Sequence, residues 1–507
     1  MSRPDPFNIA DCSRHLNGLW LCLLAAGPCL AIEPSSSVDL RTRPAQLRLS
    51  HETVSLGGQE DMGLSGVSYL INTTPGLYTG LSVYGATSGG RGGFFTGGGT
   101  LGAGTRLGRA TLDAGLFVGG GGGGAAPQGG GLMLRPHLGL TYDWGGYTWG
   151  AGAAWVKFPN GAIDSKQAYL SLGIPFEVRY ADRRHAWKET VASSGFGTQP
   201  AALKATWGRY RAAPSARTTS GAAQQDLDLL GFAYQHELGS GWFAELETAG
   251  ASAGQSDGYA EVLFGGGWGM TLPATGTQLR LSMALGGAGG GSVDTAGGGI
   301  TRAKLALHQP IGKRLGLGVA LGKQTSAGSF SADYLGFDLN YRLDELVRDK
   351  RQQASPVYLQ PWDIAFSHQS YLDAQRKQGA AKRIDLVGIQ LTRPLNDTVF
   401  LTGQAYGAYT GEAGGYAVGL VGAGVQTPLS ARWSVSTQAL MGVGGGGGVD
   451  AGGGALTQFQ VGLAYQPRPA WKFQLELGRV RSSTGGLDTN LVNLNMIYLL
   501  TRPEGRI

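Results

Sequence analysis

The sequence predicts an all-β fold: an antiparallel up-and-down transmembrane β-barrel built from three eight-strand repeats, about 24 strands in all. Three observations lead there. A glycine-rich hairpin occurs three times, as "GGGGGGAAPQGGG" (residues 119–131), "GGGSVDTAGGG" (289–299) and "GGGGGVDAGGG" (444–454). Segments of about ten residues alternate apolar and polar side chains between turn residues, as a strand with one dry and one wet face requires. Composition agrees, because 42% of the 507 residues are apolar, 89 are glycine and only 15% are charged, where soluble chains carry about a quarter.

The elements follow in chain order. Arg3 and Arg14 precede "LWLCLLAAGPCLA" (19–31), a short apolar run ending in small residues, which reads as an export signal cleaved after Ala31. Cys12, Cys22 and Cys29 all lie in the first thirty residues, so the rest of the chain has no disulfide framework or thiolate metal site. Each repeat then opens on a strand: "QLRLSHETV" (46–54), "LKATWGRYR" (203–211) or "DIAFSHQSY" (363–371). The second strands share Gly66, Gly231 and Gly388, and the third, "LYTGLSVYGA", "WFAELETAGA" and "VFLTGQAYGA", all close on Gly-Ala. Fourth strands rich in glycine lead to fifth strands that run into the hairpin, and sixth strands leave it. Seventh and eighth strands, such as "WKFQLELGRV" (471–480) and "LDTNLVNLNMIYLL" (487–500), complete the unit. The domains are therefore 1–31 (signal), 32–182, 183–345 and 346–507.

An array of soluble β-sandwiches would show the same alternation. Three features favour a membrane. Tight turns alternate with longer Gly/Ser/Thr-rich loops, and an even strand number returns both chain ends to one side. Trp144, Tyr147, Trp149, Trp242 and Trp433 sit at strand ends, where interfacial aromatics belong. Basic residues form no stripe, so a nucleic-acid partner is not expected despite the net charge of +6.

This layout resembles the outer-membrane β-barrel proteins of Gram-negative bacteria. The resemblance implies export through the signal, residence in the outer-membrane lipid bilayer and assembly by the barrel-insertion machinery. The chain ends on Ile507, a departure from the terminal aromatic that this machinery commonly reads. One barrel of 24 strands is preferred over three of eight, because Gly150, Gly152, Gly316 and Gly318 fall on the lumen face and a small barrel fills its interior with larger side chains.

A barrel of that size implies a passive pore or export channel, with no cofactor and no metal, and an exported substrate that the sequence does not identify. Candidate lumen cations are Arg280, Lys304, Lys472 and Arg479, which would favour anions. The hairpin candidates are Gly119, Gly124, Gly129 and Gly131; Gly289, Gly291, Gly297 and Gly299; and Gly444, Gly448, Gly452 and Gly454. These glycines either fold over the lumen or pack on one another, or they form mobile loops. A structural or surface-interaction barrel without a pore is the alternative. A lipid hydrolase is third, since His51 and His368 lie beside Ser50 and Ser367, but adjacent strand residues point to opposite faces. Asp294 and Asp450 occupy equivalent hairpin positions and read as turn residues sooner than calcium ligands.

Overall fold

The computed structural model describes residues 38, 40–192, 196–348 and 355–505. The expected signal and the three cysteines lie outside them. Among the described residues every regular element is a β-strand, apart from one short 3-10 turn at Arg183–His185. The first ring comprises β1 (Arg41–Val54), β2 (Met62–Thr74), β3 (Leu77–Ser88), β4 (Phe95–Leu107), β5 (Ala110–Gly122), β6 (Met133–Trp144), β7 (Tyr147–Lys157) and β8 (Asp164–Tyr180). A short β9 (Glu189–Ala192) follows in the first long connection. The second ring comprises β10 (Phe196–Ala212), β11 (Leu227–Gly239), β12 (Trp242–Ala253), β13 (Ala260–Thr271), β14 (Gln278–Gly289), β15 (Gly299–Ile311), β16 (Leu315–Ser326) and β17 (Ser331–Arg348). The third comprises β18 (Ser355–Ala374), β19 (Lys382–Pro394), β20 (Val399–Ala408), β21 (Ala417–Pro428), β22 (Trp433–Gly445), β23 (Ala455–Arg468), β24 (Trp471–Ser482) and β25 (Asp488–Gly505).

Every neighbouring pair is antiparallel, and the first strand of each ring pairs with its own eighth. Leu49 lies opposite Leu172 between β1 and β8, Ala205 opposite Leu339 between β10 and β17, and Ala365 opposite Ile497 between β18 and β25. The expectation of one 24-strand barrel is therefore corrected: the chain closes three times, into three eight-stranded barrels.

The physical reason lies in the glycines that suggested a wide lumen. They face inward, but neighbouring side chains lie across them and leave no room for a Cβ. A Cβ at Gly152 would stand 2.8 Å from the Tyr169 ring, at Gly318 2.0 Å from the Asp338 carboxylate, and at Gly388 2.5 Å from the Tyr406 ring. An eight-stranded barrel is filled by its own side chains, and here a few long ones fill it while glycine gives way.

Outward faces are apolar. Leu170, Leu281, Met283, Leu321, Met441 and Leu477 all stand exposed between inward-pointing neighbours, and no helix among the described residues is long and apolar enough to cross a membrane. Trp144, Trp149, Trp242 and Trp433 are exposed at the short-turn ends, which gives each apolar belt an aromatic edge.

The barrels touch in a ring. On the short-turn side, β9 pairs with β18, from Ser355 opposite Ala192 to Tyr358 opposite Glu189. There Ala181 and Thr501 also exchange backbone hydrogen bonds of 2.8 and 3.1 Å. On the long-loop side, the fifth strand of each barrel faces the third strand of another, through the glycine hairpins.

Candidate functional site: the lumens and the glycine clasps

Each lumen has an apolar plug at its long-loop end and a polar layer beneath it. In the first barrel Val54, Met62, Phe94, Phe117, Met133 and Phe158 form the plug. In the second and third it includes a hairpin residue, Val293 at 3% exposure and Val449 at 0%, packed with Tyr259 and Phe330 or with Tyr371 and Tyr416. The hairpin sequences "SVD" and "GVD" thus send a valine down into the barrel mouth. Full burial of such a side chain is worth roughly 1.5–3 kcal/mol.

The polar layers differ in kind. In the first barrel Arg135 grips Glu52 through two nitrogens at 2.6 and 3.2 Å, and Arg48 grips Asp113 at 2.9 and 3.2 Å, with His137 3.0 Å from the same carboxylate. The second holds three cations against three carboxylates. Lys204 lies 2.5 Å from Glu245, Arg302 lies 2.6 Å from Glu247 and 2.9 Å from Glu261, and Lys304 bridges Glu245 and Glu247. The third is a carboxamide lattice. Gln404 donates to Gln390 and Gln460, Gln438 donates to Gln460 and to Glu476, and Asn493 and Asn495 donate to the other Glu476 oxygen. Buried charge and amide persist only when partnered, and these layers supply the partners from strands on several sides of the lumen.

Of the candidate lumen cations, three point inward and each meets an acid. Arg280 lies 2.8 Å from Glu237, Lys304 lies 2.6 Å from Glu245, and Lys472 lies 3.3 Å from Asp363. Arg183, from the first long connection, reaches the same Asp363 at 2.8 Å. Arg479 is a correction. It shares the outward face of β24 with Phe473, Leu475 and Leu477 and pairs with Asp488 at 2.6 Å near the long-loop end. Two-residue periodicity puts it with those leucines, and an arginine above an apolar belt stays wet.

The hairpin glycines divide into two groups. Gly119, Gly124, Gly129, Gly291, Gly444, Gly448 and Gly452 crowd their own barrel; a Cβ at Gly129 would fall 1.7 Å from the Asn160 carbonyl oxygen. Gly131, Gly289, Gly297, Gly299 and Gly454 face another barrel. The equivalent trio Gly131, Gly298 and Gly454 has φ of 97°, 96° and 98°. Cβ atoms there would fall 2.4, 2.8 and 2.2 Å from the carbonyl oxygens of Ala408, Ala86 and Ala251. Those three alanines lie at or within two residues of the long-loop ends of the third strands. Only glycine combines a left-handed backbone with that approach. The first hairpin therefore lies on the third barrel, the second on the first, and the third on the second.

Further bonds cross the same seams. Gly92 donates to the Ala296 carbonyl at 2.8 Å, Gly415 to the Gly121 carbonyl at 3.1 Å, and the Lys377 ammonium sits 2.6 Å from Asp257. Sequence reasoning passed over the receiving side, the third-strand Gly-Ala ends with Gly93 and Gly258. The shared closing dipeptide was the mark that identified them.

Asp294 and Asp450 each bind the neighbouring loop. Asp294 accepts from the Ser329 amide at 3.1 Å and Asp450 from the Gly486 amide at 2.8 Å. The donated bonds from Ser329 hold the Asp294 carboxyl below its usual value. No group of three or more metal-ligating side chains occurs among the described residues.

The histidines beside serines face outward, while Ser50 and Ser367 face in. His51 Nδ1 lies 2.9 Å from Ser65 Oγ. In the third barrel Ser370 donates to Asp385 at 2.6 Å, and His368 Nε2 stands 3.2 Å from the same hydroxyl. A hydroxyl has one proton, and the carboxylate takes it. His368 is thereby left to donate to Ser370 while Tyr409, 3.1 Å away, meets its Nδ1. The histidine is oriented away from the role of base.

No family model matches the chain, and no curated protein matches it. Among solved structures, OccK11 (OpdR) of Pseudomonas aeruginosa aligns over 93% of this chain and 100% of its own at 14% identity, with a TM-score of 0.21. The outer membrane protein OpdK of the same organism aligns over 91% and 99% at 11% identity, with a TM-score of 0.23. Its ferric enterobactin receptor, PfeA, aligns over 92% and 82% at 10% identity, with a TM-score of 0.27. At these scores the likeness carries no argument about this chain.

Proposed function

We propose that the chain is a triple β-barrel of a Gram-negative outer membrane that works as a structural, surface-presenting body, not as a passage for solutes. The observation that carries this reading is the filling of every lumen. An apolar plug closes the long-loop end, and paired charges or carboxamides fill the space beneath. Passive flux needs a water-filled path lined by free polar groups, and none of the three inward candidates is free of a carboxylate partner. The outward apolar belts and their tryptophan edges support the lipid bilayer as the surrounding medium, and the barrel-insertion machinery as the assembly partner. The enzyme reading gains no support from the His-Ser pairs of the sequence, because Ser50 and Ser367 face away from His51 and His368, and the Ser370 hydroxyl beside His368 gives its proton to Asp385.

Reconstitution into planar bilayers tests the reading. The expected result is a flat current trace after insertion has been verified by protease protection. Reproducible discrete conductance steps would overturn it and restore the channel.

A further inference from the structure

We infer that the seam between barrels is a self-sufficient binding surface whose partner is another eight-stranded barrel of this kind. The ring of three would then hold without the connections between repeats.

Four observations carry this. The three seams use equivalent backbone contacts: Gly131, Gly298 and Gly454 share one conformation and all approach the carbonyl of a third-strand alanine. One of these seams joins the first barrel to the third, which are not successive in the chain, and its geometry matches the other two. The receiving ends are nearly the same: Tyr84-Gly85-Ala86 in the first barrel and Tyr406-Gly407-Ala408 in the third are one tripeptide, with Ala249-Gly250-Ala251 in the second. The hairpins approach these ends with backbone atoms, so the fit does not depend on which repeat supplies which side.

A contact in which one patch meets a different patch on the next unit generates a closed ring when the rotation closes. Here it closes at three and leaves no hairpin unmatched. The first repeat carries both a hairpin that fits Tyr-Gly-Ala and a Tyr-Gly-Ala end, so two copies of it present complementary surfaces. The partner is thus identified by its chemistry: a barrel that carries Gly-Ala near the long-loop end of its third strand, beneath an open backbone.

The test uses the full chain, folded, with protease sites placed at residues 193–195 and 349–354. After complete cleavage in mild detergent, the three fragments are expected to migrate as one particle with no loss of the intact peak. The same protein with Gly131→Val, Gly298→Val and Gly454→Val is expected to run as one species uncut and to lose that peak on cutting. Because β9 stays with the first barrel and pairs with β18, Thr190→Pro is added to the cleavable chain without the valines; the particle is expected to persist. Separation of the unsubstituted fragments on cleavage overturns the inference, as does separation of the Thr190→Pro protein.

Discussion

Arg135 shows how a barrel interior tolerates charge. The residue is 2% exposed, and its guanidinium closes on Glu52 and lies over the rings of Tyr84 and Tyr169 at 5.2 and 5.1 Å. Removing one partner strands the other, which costs about 3–5 kcal/mol at buried pairs. Arg135→Ala is therefore predicted to lower the urea-unfolding free energy by about that amount, and Arg135→Met combined with Glu52→Gln by much less. Asp294 gives a pH prediction. Its folded pKa lies below the ordinary carboxylate value because Ser329 donates to it, so its contribution is present above that ordinary value and is lost as pH falls through the depressed one. The Ser329 amide resonance is predicted to move only below the usual carboxylate range, and to lose that step in Asp294→Asn. Alternation along the strands was enough to place Lys304 and Lys472 inward. The same rule, applied to "WKFQLELGRV", puts Arg479 outward beside Leu477. Which acid each cation meets was not legible, because Glu245 and Lys304 are 59 residues apart, on strands that are not neighbours, and meet only after ring closure.

At the scale of elements, the glycine hairpin has two tasks with separate residues. In the second and third hairpins the tip valine enters the lumen, and in all three some of the arm glycines lie against another barrel. Val449→Ser is predicted to cost roughly 1.5–3 kcal/mol in thermal unfolding, the worth of a buried valine, while leaving the seams intact. Gly454→Val joins a positive φ to a 2.2 Å approach, and is predicted to lower the melting temperature through the seam between the third and second barrels. The all-β class and the antiparallel strand order were legible, since turn residues and two-residue periodicity are local features. The Gly-Ala end of the third strand was visible as a repeat but silent as a contact, because its partner comes from another repeat. The short strand β9 had no periodic pattern long enough to announce it.

At the scale of the whole molecule, the choice between one ring and three turned on side-chain volume. Small lumen residues argue for a wide barrel only if nothing crosses to cover them, and Tyr78, Tyr169, Asp338 and Tyr406 do cross. Volume summed around a ring, not residue size strand by strand, decides what a barrel encloses. Strand count alone could not separate the cases, because eight strands close as readily as 24. The long connections fit three rings: they carry the chain from one closed barrel to the next, and one of them adds β9 to the edge of the third.

The closing seams test the three-barrel account most directly, because the described residues contain no native cysteine and paired cysteines report register. Ser50 lies opposite Ser171, Ala205 opposite Leu339, and Ala365 opposite Ile497. Cysteines at each pair, introduced two at a time, are predicted to oxidise to an intrachain disulfide in the membrane-inserted protein. In a single 24-strand barrel β8 would pair with β10 and β1 with β25, so failure of all three pairs to crosslink, with crosslinking between β1 and β25 instead, would contradict the account.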